Sequence, residues 1–215
     1  MARQAVTKPR KQASQQRSRA TVAALVEATA RILVREGFDK ASTNRIAEVA
    51  GVSVGSLYQY FPSKEALVVA VVERHNREIM EVVRGVLAEV ASLPVEDAVP
   101  RLVAMAIEAH RVDPELHRVL SEQVPRIGRL ENIETGNRQA RALFRAYLES
   151  RGHELRVTDL DLAAFVCATS IEALAHNAVL HHSELSSDSA ADTLIDETTR
   201  LILGYLQPVP ARATA

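Results

Sequence analysis

The sequence predicts an all-α fold of about nine helices, and three observations support this class. Aromatic residues make up only 4% of the chain and Trp is missing, whereas β-rich folds depend on aromatic and β-branched side chains. Apolar residues recur at steps of three and four over long segments, which is the period of a helix. Hydrophobic residues make up 47% of the chain, which is enough to build a packed core.

The chain opens with a basic segment and a first helix. The first twenty residues contain six Lys or Arg and no acid, so residues 1–18 are predicted to form a flexible basic arm. The helix then runs from about Ser18 to Gly37, because glycine readily adopts the left-handed conformation that ends many helices. One face of this helix carries Val22, Leu25, Val26, Thr29, Ile32 and Leu33.

Two short helices are predicted next. Thr43 can cap the start of the first, because its hydroxyl can accept a free backbone N–H. Gly51 ends that helix, and Ser53 can cap a second one that reaches Phe61. Two short helices joined by so tight a turn form a helix-turn-helix unit, here residues 42–61.

Longer helices occupy the rest of the chain. One starts at Ser63 and continues to Ala91, and others are expected at about 95–111, 114–123, 127–150, 159–182 and 189–206. Asp113 followed by Pro114 is typical of a helix start, since proline at the first helical position loses no hydrogen bond. Residues 208–215, which begin with Pro208, are predicted to be a disordered tail.

Charge is distributed unevenly along the chain. Residues 1–61 carry ten Lys or Arg and four Asp or Glu, whereas residues 62–215 carry sixteen and twenty-three. A basic segment joined to an acidic body indicates a nucleic-acid or membrane-surface contact at the basic end. Chance clustering of solvated charges is the alternative.

The expected compartment is the cytoplasm. No run of about 18 uninterrupted apolar residues is found, so no membrane span is predicted and the start lacks the apolar run of a secretory signal. Cys167 is the single cysteine, which excludes an internal disulfide and suits a reducing compartment.

Residues 42–67, STNRIAEVAGVSVGSLYQYFPSKEAL, resemble the TetR family of bacterial transcriptional regulators. The elements IA-x-x-AGVS, LY-x-x-F and SKE-x-L occur together, in order and at the spacing of that family, and the match covers roughly residues 19–79. The resemblance implies a DNA-binding domain at 19–65 and a ligand-binding and dimerisation domain at 66–207. It implies no cofactor and no enzymatic activity.

The resemblance also implies which residues contact DNA. Val54 and Gly55 would face base edges, and Asn44 and Arg45 would lie close to phosphate or a base edge. Thr43, Ser56, Tyr58, Tyr60 and Lys64 would hold phosphates, which positions a protein without reading sequence. Gln59 can bond to adenine or remain solvated. Gly55 either permits close backbone approach to DNA or is merely tolerated in a short helix, at about 1 kcal/mol relative to Ala.

The body would supply a homodimer interface and an effector pocket. By the resemblance, the last two helices pair across a two-fold axis through residues that include Phe165, Thr169, Leu174, Leu194, Thr198, Leu201 and Tyr205. Such a dimer places two reading heads on one face of a palindromic DNA site. The pocket for a small-molecule effector is expected among helices 67–91, 95–111, 114–123, 127–150 and 159–182. Its polar candidates are His110, His117, Glu122, Arg141, Tyr147, His176 and Asn177.

Other functions have less support in the sequence. His181 and His182 are adjacent, so they point about 100° apart on a helix and do not form a chelating pair, and no metal is expected. A helical enzyme is disfavoured because no nucleophile elbow, phosphate-binding glycine loop or metal cluster is found. A nucleoid-type DNA binder without an effector stays open, as does the choice between repressor and activator.

Overall fold

The computed structural model describes residues 16–123, 131–182 and 188–207. These residues form nine α-helices, a short 3-10 helix at Gly152–Glu154 and no strand, which confirms the predicted all-α class. The α-helices are α1 (Gln16–Lys40), α2 (Thr43–Val49), α3 (Val54–Tyr60), α4 (Lys64–Val90), α5 (Val95–Arg111), α6 (Pro114–Gln123), α7 (Glu131–Ser150), α8 (Leu160–His181) and α9 (Asp188–Leu206). Residues 1–15 of the predicted arm and the whole predicted tail lie outside the described residues.

The chain divides into two compact units. The N-terminal unit comprises Met1–Arg77 and Glu115–Glu134, and the C-terminal unit comprises Glu78–Pro114 and Thr135–Ala215. This division differs from the predicted domain boundary after residue 65, because the first half of α4 and all of α6 after Pro114 belong to the N-terminal unit. The physical reason for α6 is its apolar face, whose Leu116, Val119 and Leu120 are buried in the core of that unit.

The N-terminal unit is built around the apolar faces of α1, α2, α3 and α4. Its fully buried side chains include Leu25, Leu33, Ile46, Leu57 and Leu67. Burial of each such side chain contributes roughly 1.5–3 kcal/mol relative to leaving it exposed. These contacts hold the two short helices in place, since helices of seven residues are unstable by themselves.

Polar contacts complete the N-terminal unit. Glu27 on α1 accepts hydrogen bonds from Arg74 on α4 at 2.9 Å and from Arg31 at 3.0 Å. The two guanidinium groups hold the pKa of the Glu27 carboxyl below its usual range. The side chains of His75 on α4 and His117 on α6 meet with 3.0 Å between Nε2 and Nδ1. The unit is thus fixed by side-chain contacts between helices as well as by its core.

The C-terminal unit packs α5 against both α8 and α9. Leu148, Ile202 and Leu206 are among its most deeply buried side chains. The end of α9 is capped by Arg156, whose guanidinium donates to the carbonyl oxygens of Gly204 at 2.7 Å and Tyr205 at 2.9 Å. Because the last carbonyls of a helix have no partner within it, this side chain satisfies groups that would otherwise need water.

Helix α8 is unusually apolar. Among the described helices it is the one whose length and mean hydropathy would suffice to cross a membrane, although only 33% of the window that meets this test is buried. Ala163, Ala164, Cys167 and Ile171 on one side are buried in the core of the C-terminal unit. A core helix with an exposed apolar side has the same composition as a membrane helix, so length and hydropathy alone do not distinguish them.

Candidate nucleic-acid interface and apolar cavity

The turn between α2 and α3 is set by one glycine. Gly51 has a φ of 68°, a left-handed conformation that residues with a side chain rarely adopt. The N–H of Gly51 donates to Glu48 at 3.1 Å, and the N–H of Val52 donates to Ala47 at 3.0 Å. This pair of bonds is the Schellman motif, which satisfies the last carbonyls of α2 and reverses the chain into α3.

Serine side chains cap both short helices. Ser42, rather than the predicted Thr43, caps α2, because its hydroxyl accepts from the N–H of Arg45 at 3.3 Å. Thr43 is the first residue inside that helix. Ser53 caps α3 as predicted and accepts from the N–H of Ser56 at 3.1 Å. The start of α3 is therefore fixed by hydrogen bonds rather than by propensity.

Helix α3 has one buried and one exposed face. Leu57 is completely buried, whereas Val54 and Tyr58 are 36% and 41% exposed. Gly55 and Gln59 are also exposed. Val54 and Gly55 are therefore open to solvent at the N-terminal end of the helix, which is the end that a recognition helix presents to base edges, and Gln59 is open to solvent near its C-terminal end.

No contact within the fold requires glycine at position 55. A β-carbon placed there would have the hydroxyl oxygen of Ser53 as its nearest neighbour, at 3.9 Å, which is ordinary van der Waals separation. Gly55 lies inside α3, and Gly37 and Gly51 are the residues with positive φ in the described chain. Neither crowding nor backbone conformation explains this glycine.

Tyr58 and Lys64 are held by neighbouring groups. The hydroxyl of Tyr58 lies 3.1 Å from the hydroxyl of Thr43, which joins α3 to α2 at the surface. The ammonium of Lys64 donates to the carbonyl of Phe38 at 2.9 Å and lies 3.9 Å from the centre of the Phe38 ring. An ammonium has three donors, so this contact leaves others for an anion.

Arg45 is the exposed cation of α2. Its guanidinium pairs with Glu48 at 2.9 Å and with Glu36 at 3.6 Å. The hydrogen bond with Glu48 raises the pKa of Arg45 above its already high usual value. Asn44 beside it is exposed. Both side chains lie at the start of α2, as the sequence predicted for contacts with phosphate or a base edge.

Tyr60 does not share the exposed face. It is 8% exposed, and its hydroxyl donates to the side-chain oxygen of Ser18 on α1 at 3.1 Å. The expected phosphate contact of Tyr60 is therefore replaced by a contact between α3 and α1. The hydroxyl of Ser56 is also engaged, 2.9 Å from that of Ser53.

A cavity of about 150 Å³ lies within the C-terminal unit, among α4, α5, α7 and α8. Its apolar lining comprises Ile79, Met80, Val83, Leu87, Leu102, Met105, Ala106, Ala109, Ala140, Phe144, Ala168 and Ile171. Two polar residues, His110 and Glu172, are also among the described lining residues. A mostly apolar cavity with few polar groups is typical of small-molecule sites.

The histidines near the cavity form a row of ring contacts. His110 is buried, and its Nδ1 lies 2.7 Å from the carbonyl of Ala106, so this nitrogen carries the proton and donates. Its ring meets that of His176 edge-on at 5.7 Å between centroids, and His176 meets His181 at 5.9 Å. Burial lowers the pKa of His176, and the negative charge of Glu172 opposes that shift.

Most of the predicted pocket residues lie elsewhere. His117 and Glu122 belong to α6 in the N-terminal unit, so neither lines this cavity. Tyr147 is buried in the core, and its hydroxyl donates to the carbonyl of Leu93 at 3.0 Å. Burial raises the pKa of Tyr147 to about 12, so it stays protonated.

The remaining candidates differ in position. His110 lines the cavity, and His176 contacts His110 without being part of the lining. The guanidinium of Arg141 lies 5.7 Å from the centre of the Phe165 ring, and the exposed Asn177 donates to the carbonyl of Ala173 at 2.8 Å. Sequence reasoning missed Glu172, although a carboxylate in the middle of the apolar α8 is a signal that was available.

The predicted dimer residues separate into two groups. Phe165 and Leu201 are 48% and 57% exposed, and Leu162 on the same side of α8 is 53% exposed. Thr198 is only 3% exposed in the single chain, so it belongs to the core and does not share this exposed side. Leu174 is nine residues from Phe165, roughly half a turn around the helix, so it does not share that face.

Of the other three predicted interface residues, one is exposed and two are half-buried. Thr169 lies one turn beyond Phe165 on α8 and is exposed. Leu194, Leu201 and Tyr205 follow at steps of seven and four on α9, and Leu194 and Tyr205 are half-buried. An apolar stripe on each of the last two helices is thus open to solvent in the single chain.

Comparison with known proteins decides the family. The profile described as "Bacterial regulatory proteins, tetR family" matches residues 25–71, which contain the helix-turn-helix unit. A second profile, "Tetracyclin repressor-like, C-terminal domain", matches residues 94–206, more than half of the chain. The chain belongs to the TetR family. Proteins of this family are transcriptional regulators.

Individual TetR-family relatives agree with this assignment. The nucleoid occlusion factor SlmA of Haemophilus ducreyi is 31% identical over 86 residues, which are 40% of this chain and 42% of that protein. The HTH-type transcriptional regulator BetI of Cronobacter sakazakii is 27% identical over 176 residues, 77% of this chain and 83% of that protein. A structure from Mesorhizobium loti assigned to the TetR-family regulators has the same fold, with a TM-score of 0.74, 20% identity, and coverage of 90% of this chain and 100% of that one.

Proposed function

We propose that the protein is a sequence-specific DNA-binding transcriptional regulator, a repressor that a small-molecule effector releases from a palindromic operator. The observation that carries the proposal is the exposed face of α3. Val54, Gly55 and Gln59 are exposed there, whereas Leu57 on the other side is buried. Small or polar residues on that face allow the helix to enter a major groove about 12 Å wide.

Contacts around α3 would fix its position on the duplex. The hydroxyl of Tyr58 and the ammonium of Lys64 can hold phosphates, and Arg45 can exchange a carboxylate partner for one. Val54 offers an apolar contact to a thymine methyl group. Phosphate contacts set affinity and register, whereas Val54, Gly55 and Gln59 would set the preferred sequence.

A second copy of the chain is the proposed partner of α8 and α9. The exposed apolar side chains Leu162, Phe165 and Leu201 support this arrangement, because patches of this kind mark association surfaces. Proteins of the TetR family act as dimers. Two-fold symmetry would place two reading helices about 34 Å apart, one helical turn of DNA.

The effector would occupy the apolar cavity of the C-terminal unit. Helix α4 contributes Ile79, Met80, Val83 and Leu87 to its lining. The same helix begins at Lys64, beside the proposed DNA contacts. An effector that binds better when α4 is positioned wrongly for DNA would lower operator affinity, and linkage requires DNA to weaken effector binding by the same factor.

A regulator of this kind needs no catalytic group, and we propose that the protein is not an enzyme and acts in the cytoplasm, where the DNA is. Cys167, the one cysteine of the chain, is fully buried, and burial raises the pKa of its thiol to about 12. A thiol in that state is an inert core residue.

A second candidate function is DNA binding without an effector. The similarity to the nucleoid occlusion factor SlmA, which spans 86 residues, favours it. A nucleoid-type binder would show little preference among sequences and a steep dependence on salt. The similarity to BetI spans twice as many residues and favours the regulator instead.

The testing experiment is selection from randomised duplex DNA with the purified protein at about 150 mM salt, followed by sequencing. Recovery of a palindrome with half-sites about 10 base pairs apart supports the dimeric regulator. Val54→Ala should alter the preferred bases, and Val82→Ala is the matched control because Val82 is 41% exposed on α4. Binding without any enriched sequence would contradict the proposal and leave the nucleoid-type function.

A further inference from the structure

We infer that the cavity of the C-terminal unit binds a small monocationic ligand, a single-ring or short hydrocarbon body that carries one ammonium group directed at Glu172. The inference names the chemistry of the effector and so rests on the proposed function.

The size of the cavity sets the size of the ligand's apolar body. A dry protein cavity of about 150 Å³ is known to accept benzene, so the volume of 150 Å³ found here suits one ring or an alkyl chain of similar volume. Apart from Phe144, His110 and Glu172, the described lining residues are aliphatic or methionine, and Phe144 is 5% exposed. Burial of the ligand's apolar body therefore supplies most of the affinity, and the polar residues of the lining determine which polar group the ligand carries.

The charge of the lining selects the sign of the head. Among the described residues that line the cavity, Glu172 is the one carboxylate, and neither a lysine nor an arginine is present. Glu172 is exposed in the single chain, so the cavity opens to solvent at this residue. An anionic ligand would place like charges together, whereas an ammonium would gain a charge-assisted hydrogen bond.

Nothing described nearby cancels this negative charge. Within the described residues, no Lys or Arg lies within 4 Å of the Glu172 carboxylate. His176 is the histidine that Glu172 influences, and burial keeps it neutral at pH 7. Phe144, which also lines the cavity, would add a second preference for a cation that lies over its ring, because the ring quadrupole attracts positive charge.

The test uses three probes of nearly equal shape on the full-length protein: benzylammonium, benzyl alcohol and benzoate. Their dissociation constants are measured by calorimetry at pH 7.5 in low salt. Benzylammonium is expected to bind about fivefold more tightly than benzyl alcohol, the modest gain of a partly solvated ion pair, and benzoate more weakly than either.

Glu172→Gln should reduce the ratio between benzylammonium and benzyl alcohol to about one and leave benzyl alcohol unchanged. Glu89→Gln is the matched control, since Glu89 is exposed on α4 outside the cavity lining, and it should keep the wild-type ratio. Ala168→Leu, which fills the cavity, should weaken all three probes. An unchanged ratio in Glu172→Gln, tighter binding of benzoate, or no binding of any probe would overturn the inference.

The same preparations separate this inference from the proposed function. If benzylammonium binds but leaves operator affinity unchanged, the ligand class stands and release by the effector fails. If a palindromic operator is found but the probes do not bind, the regulator stands and the ligand class fails.

Discussion

Replacing Gly55 with alanine separates what the fold needs from what DNA binding needs. The new β-carbon has ordinary van der Waals room, with its nearest neighbour at 3.9 Å, and the backbone there is helical. Alanine in place of a helical glycine stabilises by roughly 0.5–1 kcal/mol. Gly55 is only the second residue of α3, so we expect the lower end, about 0.5 kcal/mol, or a rise in Tm of about 1–2 °C.

The same methyl group should weaken DNA binding. It would stand beside Val54 on the exposed face of α3, which the proposed function places against the duplex. A methyl group that crowds a closely packed contact costs about 1–3 kcal/mol. A cost of about 1.4 kcal/mol corresponds to a tenfold higher Kd for the operator. The variant is therefore expected to be slightly more stable than the wild type and about tenfold weaker in binding, as measured by thermal denaturation and by fluorescence anisotropy on the selected operator.

Gly85→Ala is the matched control. Gly85 lies within α4, and a β-carbon there would meet nothing within 4 Å. This variant should gain roughly 0.5–1 kcal/mol with an unchanged operator Kd. Wild-type operator affinity in Gly55→Ala would show that the glycine is merely tolerated, and a loss of stability would show that the space described above is not available.

Four further expectations follow from the site and the two units. Tyr58→Phe removes one hydroxyl from the exposed face and should weaken binding to all duplexes alike, by about 1 kcal/mol. Parallel titrations of operator and random DNA measure this loss, and a loss confined to the operator would contradict the assignment of Tyr58 to a phosphate contact. Gly51→Ala forces a β-carbon into a φ of 68° and should destabilise the protein by roughly 1–2 kcal/mol in urea denaturation, whereas an unchanged midpoint would exclude strain at this turn. Burial lowers the pKa of His176, so the unfolded chain binds the proton more readily than the folded chain. The free energy of unfolding should therefore fall as pH drops below about 6.5. His176→Gln should flatten this dependence on pH, and an unchanged slope would show that His176 is not its cause. The thiol of Cys167, whose pKa is about 12, should react with a disulfide reagent at the rate of unfolding, and rapid labelling of the native protein would contradict its burial.

Local features were predictable from the sequence because they depend on neighbouring residues. Gly51 predicts the turn and Ser53 predicts the start of α3, because few residue types adopt a left-handed conformation or cap a helix with a hydroxyl. Ser42 and Thr43 are both capping residues, and the sequence alone did not distinguish which of them caps α2.

Features that depend on tertiary packing were less predictable. The apolar period of α6 shows that Leu116 and Leu120 face a core, but period does not say which of two cores it is. Thr198 and Tyr60 are polar side chains of ordinary exposed types that the fold buries. The residues predicted to line the pocket are polar, whereas the described lining of the cavity is mainly apolar. In the sequence, apolar residues that line a cavity have the same pattern as apolar residues that fill a core.

The apolar side of α8 has a consequence for the protein as it leaves the ribosome. Helix α8 has the hydropathy of a membrane span, and only 33% of that span is buried. A newly made chain would therefore be prone to aggregation until another copy covers Leu162 and Phe165. Pairing is second order in concentration, so scarce chains would wait longest and be most open to chaperones and proteases. At a low rate of synthesis, most chains would be unpaired and degraded, whereas at a higher rate most would pair and survive. The amount of regulator would therefore rise more steeply than its rate of synthesis, and the cause would be the apolar surface of α8 rather than the operator.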